Sequence, residues 1–304
     1  MFKKYGLVPA IVTPMDNKFR IDIDQLERYI EWLLRFDIAG LAVNVDTGEG
    51  PCLTSEEKVE ILKTVSKIVG NRIPIIAGLQ AINTMNAVKR AVEAKNAGAS
   101  ALLVFPHLTF LGEPNVDVVC EYYREIYEKA KIPLVAFQLQ PALGGILFNK
   151  ETLIRLTKLD GVVAIKEASF DAKRFIDTVR ILKKSKDRRI FIFTGNDNFI
   201  YESLILGADG GLLGFGTIAV DKQTEMFRLF GKRRYEEAEE IWEELLPLVE
   251  IIFSPPVRNY KTRIKEALVM MGVLETAYVR PPLRPLSNEE RRRIKKILKK
   301  LDMI

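Results

Sequence analysis

The sequence has few of the residues that build disulfide frameworks and metal centres. Its 304 residues include only two cysteines, Cys52 and Cys120, and one histidine, His107. The cysteines lie far apart and show no partner spacing. These absences argue against a disulfide-stabilised fold and against a cysteine- or histidine-ligated metal, and we expect neither a metal nor another cofactor.

Long apolar runs are also missing. No stretch approaches the roughly 18 apolar residues that a membrane-spanning helix needs. The basic segment 1–5 and the apolar segment 7–12 have a weak similarity to a secretory signal peptide. Pro9 and Pro14 interrupt the apolar pattern, and no small-residue cleavage pattern follows. With 48% hydrophobic and 28% charged residues, the composition is that of a globular protein. We expect a cytoplasmic protein without a membrane partner.

The net charge of +6 raises the question of nucleic-acid binding. Much of the excess lies in residues 291–300, where basic and apolar side chains alternate at helical spacing. This pattern predicts an amphipathic terminal helix with a solvated basic face. Because no aromatic interleaving or recognition motif accompanies the charge, we expect no nucleic-acid partner.

Short apolar segments alternate with longer amphipathic segments along most of the chain, which is typical of βαβ units with a parallel sheet. Eight strands are predicted, at 7–13, 40–45, 73–78, 101–105, 134–138, 162–166, 190–194 and 211–215. Eight helices are predicted after them, at 24–36, 55–69, 84–96, 116–129, 150–158, 172–184, 198–206 and 222–230. This α/β pattern predicts a (β/α)8 TIM barrel over residues 1–230. A doubly wound sheet is disfavoured because no G-x-G-x-x-G follows the first strand.

The pattern changes after Gly231, where helices follow one another without strands. Three are predicted, at 235–246, 261–271 and 288–300, joined by proline-containing segments. We expect residues 231–304 to form a C-terminal three-helix domain that packs against the barrel or a neighbouring subunit.

Lys166 is the first candidate for the chemistry, because reacting groups of this fold lie at the carboxyl ends of the strands. It ends the sixth predicted strand, on the same face as Val162 and Ala164. If that face is the barrel interior, desolvation lowers the pKa of Lys166 and leaves free amine able to attack a carbonyl. The alternative is a strand-end lysine that extends to solvent.

The loop after the second predicted strand holds further candidates. Thr47 offers a hydroxyl, and Thr47 and Gly48 offer backbone N–H groups directly before a helix, which suits a bound carboxylate. An ordinary strand-to-helix turn is the alternative. Other candidate substrate-binding residues near the strand ends are Asp46, Glu49, His107, Phe137, Gln138 and Gln140.

Taken together, these segments resemble the dihydrodipicolinate synthase and N-acetylneuraminate lyase family of class I lyases over nearly the whole chain. Residues 9–15 resemble the family's opening strand and residues 47–49 its G-T-T-G-E loop. Residues 165–168, Ile-Lys-Glu-Ala, resemble the segment with its Schiff-base lysine, and residues 194–197 match its S-G-D-D type of turn.

The resemblance implies a barrel with three C-terminal helices and a homo-oligomer, usually a tetramer. It also implies that Lys166 forms an imine with pyruvate or another 2-keto acid, and that Thr47 and Gly48 bind the substrate carboxylate. The protonated imine is an electron sink, which makes the adjacent carbon acidic or its carbon–carbon bond cleavable.

Four positions depart from the family pattern. Phe137 replaces the tyrosine of the strand-five motif Y-N-x-P and has no proton to relay. Asp46 replaces the first threonine of G-T-T-G-E. Residues 106–108, Pro-His-Leu, replace P-Y-Y and lack the tyrosine that reaches a neighbour's site, and Ala142 stands near the place of the arginine that binds a second carboxylate. These changes argue against dihydrodipicolinate synthase activity.

Three functions stay open. We favour a Schiff-base lyase or aldolase acting on pyruvate or a related 2-keto acid, such as a deoxy sugar acid. The second is a hydratase or dehydratase that uses the same imine, and the third is a catalytically silent keto-acid-binding protein. Replacement proton relays would be His107, Asp46, Glu49 or a water held by Gln138 and Gln140. We expect the two glutamines to bind a polar or hydroxylated substrate.

Overall fold

The computed structural model describes residues 2–112, 114–184 and 190–304. Its described part holds eight parallel strands: β1 (Leu7–Pro9), β2 (Leu41–Val43), β3 (Ile75–Leu79), β4 (Ala101–Val104), β5 (Leu134–Leu139), β6 (Val162–Ala168), β7 (Phe191–Thr194) and β8 (Gly210–Leu213). Neighbours follow in the order β1-β8-β7-β6-β5-β4-β3-β2. A parallel bridge between Ala10 and Ala42 joins the two ends. The sheet therefore closes into the predicted barrel.

A helix follows each strand, as the alternating pattern predicts. These helices are α1 (Ile23–Leu33), α2 (Ser55–Val69), α3 (Thr84–Asn96), α4 (Val116–Ala130), α5 (Lys150–Thr157), α6 (Ala172–Lys184), α7 (Ile200–Leu206) and α8 (Val220–Gly231). The Asp22 carboxylate caps α1, and Thr54 forms a capping box with Glu57 at the start of α2. Side-chain caps thus fix where these helices begin.

Alternation along the strands sorts the apolar side chains into two clusters. One cluster fills the barrel interior and includes Val8, Ala42, Ile76, Leu103, Val135, Phe137, Ala164, Phe193 and Leu212. A larger cluster packs between the sheet and the surrounding helices. Because both faces of each strand are buried, the strands appear in the sequence as continuous apolar runs.

Three helices follow the barrel: α9 (Tyr235–Ile252), α10 (Tyr260–Met270) and α11 (Asn288–Lys300). The α9 helix runs through Pro247, past its predicted end at residue 246, because apolar residues of the following turn are buried and outweigh the lost hydrogen bond. The α11 helix buries Ile294 and Leu298 and exposes its basic residues, as predicted. The domain boundary between residues 230 and 231 stays a prediction. Within the described ranges, no helix is long and apolar enough to cross a membrane.

Candidate active site

Lys166 lies inside the barrel near its carboxyl end. Its neighbours in the strand register are Phe137 on β5 and Phe193 on β7, so the three side chains lie next to one another on the interior face. Lys166 is buried, and its Nζ atom lies 4.7 Å from the centre of the Phe137 ring. The structure thus places this lysine in the interior and not in solvent.

Burial governs the ionisation of Lys166. Desolvation lowers its pKa from 10.5 to about 8, although the charges of Asp197 and Asp46 act in the opposite direction. The Phe137 ring face also favours the ammonium, so desolvation outweighs all three. Asp197 is buried as well, and desolvation raises its pKa to about 7, while the backbone N–H of Phe215 and the charge of Lys166 lower it. Lys166 therefore carries a usable fraction of free amine close to neutral pH.

The loop after β2 presents free backbone donors beside a hydroxyl. Thr47 is buried, and the Gly48 carbonyl accepts a 2.7 Å hydrogen bond from the Thr13 hydroxyl. A side chain at residue 48 would not fit, because its Cβ would lie 2.8 Å from the carbonyl oxygen of Ile11. In the part of the chain that the structure describes, neither the Thr47 nor the Gly48 N–H has an acceptor. Adjacent free N–H groups of this kind suit a carboxylate.

The start of α10 contacts this loop through Asp46. The Tyr260 hydroxyl donates to Asp46 Oδ2 at 2.8 Å, and Lys261 Nζ donates to Asp46 Oδ1 at 2.9 Å. The Tyr260 oxygen also lies 3.3 Å from Thr47 Oγ1. Burial, followed by the Asp46 charge, raises the pKa of Tyr260 well above its ordinary value, so the phenol keeps its proton. Sequence reasoning missed Tyr260 and Lys261 because no local pattern connects them to a loop more than two hundred residues earlier.

These side chains converge on one point at the end of β8. A Cβ built on Gly214 would lie 3.1 Å from Thr47 Oγ1, 3.3 Å from a ring carbon of Tyr260 and 3.7 Å from Asp197 Oδ2. Asp197 also acts electrostatically on both Lys166 and Tyr260. The lysine, the loop after β2 and the start of α10 therefore border one site.

Glu49, predicted as a substrate-binding residue or proton relay, has a structural position instead. It is fully buried, and its carboxylate accepts from Lys265 Nζ at 2.7 Å and from the Arg280 backbone N–H at 2.8 Å. Both oxygens are thus used to bind α10 and the segment between α10 and α11. The expectation that Glu49 meets the substrate does not fit this arrangement.

Gln138 also differs from its predicted role. Because it alternates with the inward Phe137, its side chain points toward the helices, where its amide donates to Glu167 and Thr178. Its oxygen accepts the Phe148 backbone N–H at 2.9 Å. Gln138 therefore holds the strand and helix layers together and leaves no amide group for a substrate.

His107 and Gln140 lie in different surroundings. The Nδ1 atom of His107 is 2.9 Å from the Thr109 hydroxyl, and the ring packs against Phe110 and Tyr122. His107 lines a surface hollow beside α3 and α4 and is hydrogen-bonded within its own loop, and its roles in substrate binding and proton relay stay predictions. Gln140 is half-buried at the end of β5, and its substrate-binding role stays a prediction. Among the residues that the structure describes, no three histidine, cysteine or acidic side chains are grouped to hold a metal ion.

The segment before α10 also reaches the loop after β5. Val257 packs against the interior cluster, and Arg258 Nη2 lies 3.3 Å from the Cβ position of Gly144, close to Ala142. The Arg258 side chain is exposed, and no ion pair to it exists within the described ranges. This guanidinium is a candidate for binding a second anionic group, although Ala142 itself carries no charge.

Comparisons with known proteins show which sequences and folds this chain resembles. The model of the dihydrodipicolinate synthetase family matches residues 3–301. The 4-hydroxy-tetrahydrodipicolinate synthase of Archaeoglobus fulgidus is 28% identical over 98% of this chain and 99% of its own length. Dihydrodipicolinate synthase from Thermotoga maritima superposes with a TM-score of 0.90 at 26% identity, covering 100% of both chains. The enzyme from Acinetobacter baumannii, solved with pyruvate, gives 0.87 at 28% identity, covering 98% of this chain and 99% of that one.

Proposed function

This chain belongs to the dihydrodipicolinate synthetase family, and on that premise we propose that it is a Schiff-base lyase acting on pyruvate or a related 2-keto acid. The observation that carries the proposal is Lys166, a buried lysine with a pKa lowered to about 8 at the carboxyl end of β6. Solved relatives of this fold include one with pyruvate bound, which supports a keto acid as the ligand.

The residues around Lys166 fit the steps of imine chemistry. The free amine attacks the keto carbon to give a carbinolamine, and the proton that the ammonium lost before attack returns to the departing hydroxyl, so that water leaves and a protonated imine forms. The N–H groups of Thr47 and Gly48 hold the substrate carboxylate beside it. Asp197, whose charge interacts with Lys166, is suited to take the proton that the ammonium must lose before attack.

Two replaced positions favour a substrate other than that of the synthases. Phe137 contributes a phenyl ring beside Lys166 where the family pattern has a phenol, and Ala142 provides no cation for a second carboxylate. Arg258, at the same loop but from the other end of the chain, favours a longer keto acid with a distal anionic group. The absence of a phenol at position 137 also favours the alternative of a catalytically silent keto-acid-binding protein.

Reductive trapping tests this proposal. The protein is incubated with pyruvate and with a panel of longer 2-keto acids, reduced with borohydride, and examined by intact and peptide mass spectrometry. We expect a ligand-sized mass increase on the peptide that contains Lys166. A product assay then separates cleavage, which releases pyruvate, from dehydration, which yields a dehydrated keto acid. Saturable binding without any trapped adduct would overturn the lyase and favour the silent protein.

Gly195 provides the space that Lys166 occupies. A Cβ at residue 195 would lie 2.4 Å from Lys166 Cε and 2.9 Å from the Ala168 Cβ. We expect Gly195→Ala to displace the lysine and to slow imine formation by about 100-fold, since misplacement by about 1 Å has effects of this size. The rate of borohydride trapping with pyruvate measures it. Gly231→Ala is the control, because its Cβ would meet nothing closer than 3.4 Å, and equal trapping rates in both variants would contradict the prediction.

We further propose that two copies of the chain associate through the face formed by the β3–α3 and β4–α4 connections. Large apolar side chains are exposed there: Ile82, Met85, Leu108, Leu111 and Val118. Exposed apolar groups collected on one face are typical of a protein interface. We expect sedimentation equilibrium to give an oligomer, dimer or tetramer, that dissociates on Leu108→Glu. A monomeric wild-type protein at micromolar concentration would refute this surface as an interface.

A further inference from the structure

We infer that Tyr260, at the start of α10, relays protons at the Lys166 imine in place of the missing strand-five tyrosine, together with Asp46 as the terminal base. This inference rests on the proposed lyase function and names the group that moves the proton. Position 137 cannot supply it, because Phe137 has no hydroxyl. Neither Glu49 nor Gln138 is free to do so, since both are hydrogen-bonded elsewhere.

The contacts of Tyr260 are those of a relay. Its hydroxyl donates to Asp46 Oδ2 at 2.8 Å and lies 3.3 Å from Thr47 Oγ1. Thr47 belongs to the loop with the free carboxylate-binding N–H groups, so the phenol stands beside the place where a keto acid would bind. Lys261 Nζ, at 2.9 Å from Asp46 Oδ1, places a positive charge on the far side of the carboxylate. The charged and titratable groups around the phenol are therefore Asp46, Asp197 and Lys261.

Packing restricts the position of the Tyr260 ring. Tyr260 is buried, its ring is stacked on Phe253 with centroids 5.3 Å apart, and a ring carbon lies 3.3 Å from the Cβ position of Gly214. A phenol fixed between a carboxylate and a hydroxyl has the geometry that general acid–base catalysis needs.

The relay balances without another reactant. When the substrate carbon–carbon bond breaks, the phenol oxygen takes the proton of the departing C4 hydroxyl while the phenol's own proton passes to the Asp46 carboxylate. The bonding pair becomes the C2=C3 bond of an enamine, and the imine pair moves to the Lys166 nitrogen. The phenol then protonates C3, Asp46 returns its proton to Tyr260, and the imine of pyruvate is restored.

Pyruvate alone tests the relay, because its C3 hydrogens exchange with D2O through the same enamine. Exchange is followed by proton NMR, and imine formation by the final extent of borohydride trapping. For Tyr260→Phe we expect trapping close to wild type and exchange slowed by about 100-fold or more, the usual size of an acid–base contribution. Asp46→Asn should show the same separation. Tyr278→Phe, which alters an exposed tyrosine of the same C-terminal region, should leave both unchanged.

A rescue experiment distinguishes a relay from a structural role. Adding Phe137→Tyr to Tyr260→Phe places a phenol directly beside Lys166. We expect the double variant to exchange the C3 hydrogens of pyruvate at least tenfold faster than Tyr260→Phe alone. The relay would be overturned by a wild-type exchange rate in Tyr260→Phe, by loss of trapping together with exchange, or by absence of rescue. None of these outcomes would contradict imine formation by the wild-type protein. A wild-type protein that traps no pyruvate would overturn both the relay and the lyase.

Discussion

Lys166→Met should abolish imine trapping and lower turnover by at least about 10⁴-fold, because loss of a covalent nucleophile removes the whole reaction path. Methionine keeps most of the volume of the lysine stem, so the space beside Phe137 and Phe193 stays filled. Trapping with pyruvate and turnover of the best acid in the panel measure the loss. Lys173→Met, on the exposed face of α6 and paired with Asp177, is the matched control and should keep wild-type rates.

The same variant should be more stable than the wild-type protein. Burial lowers the pKa of Lys166 from 10.5 to about 8, so the folded state disfavours the ammonium that the unfolded chain carries. Above pH 10.5 the amine is neutral in both states and burial of Lys166 carries no ionisation penalty. As the pH decreases from 10.5 toward 8, the unfolded chain takes up the proton before the folded protein does, and the free energy of unfolding falls. At pH 7 we expect Lys166→Met to gain on the order of 1–3 kcal/mol in unfolding free energy. Full activity in Lys166→Met would contradict the role of Lys166 as the nucleophile. A lower unfolding free energy than that of the wild-type protein at pH 7 would contradict a cost of burying the ammonium.

Glu49→Gln should lower the unfolding free energy by about 3–5 kcal/mol, the cost of leaving one partner of a buried ion pair without the other. Glu49 and Lys265 are both completely buried, and their charged atoms lie 2.7 Å apart. Glutamine fills the same space but leaves the Lys265 ammonium without a countercharge. Urea titration followed by circular dichroism measures the change, with reversibility checked for each variant.

Two controls separate the effect of a buried charge from ordinary packing. The double variant Glu49→Leu with Lys265→Met removes both charges and should cost less than Glu49→Gln alone. Asp37→Asn breaks the pair with Lys3, in which both side chains are more than half exposed, and should cost less than about 1 kcal/mol. Equal losses for the buried and the exposed pair would show that burial does not govern the ion pair at Glu49.

The barrel follows from the sequence because each of its elements is encoded locally. Apolar runs of strand length, amphipathic helices and caps such as Asp22 and Thr54 are all visible within short windows. Lys166 could be predicted for the same reason, since alternation from Ala164 fixes the face of β6. The same alternation places the Gln138 side chain opposite to Phe137, on the helix side of β5. The substrate-binding prediction rested only on its position near the strand end and did not take this alternation into account.

The partners of the loop after β2 could not be predicted. Asp46 and Glu49 meet Tyr260, Lys261 and Lys265 across gaps of more than two hundred residues. No periodicity within one segment determines which distant helix will cover a strand end. In the sequence, Tyr260, Lys261 and Lys265 belong to an ordinary amphipathic helix pattern. Only the tertiary structure shows that these side chains contact the loop after β2.

The link between this loop and α10 also sets an order of events during synthesis. Glu49 leaves the ribosome long before Lys265 is made, and domains form from the N-terminal side as the chain emerges. The strands can pair early, but the loop after β2 finds its countercharge only when the last quarter of the chain has been translated. A nascent or truncated chain would thus hold a nearly complete barrel in which the candidate site still lacks the residues that α10 contributes.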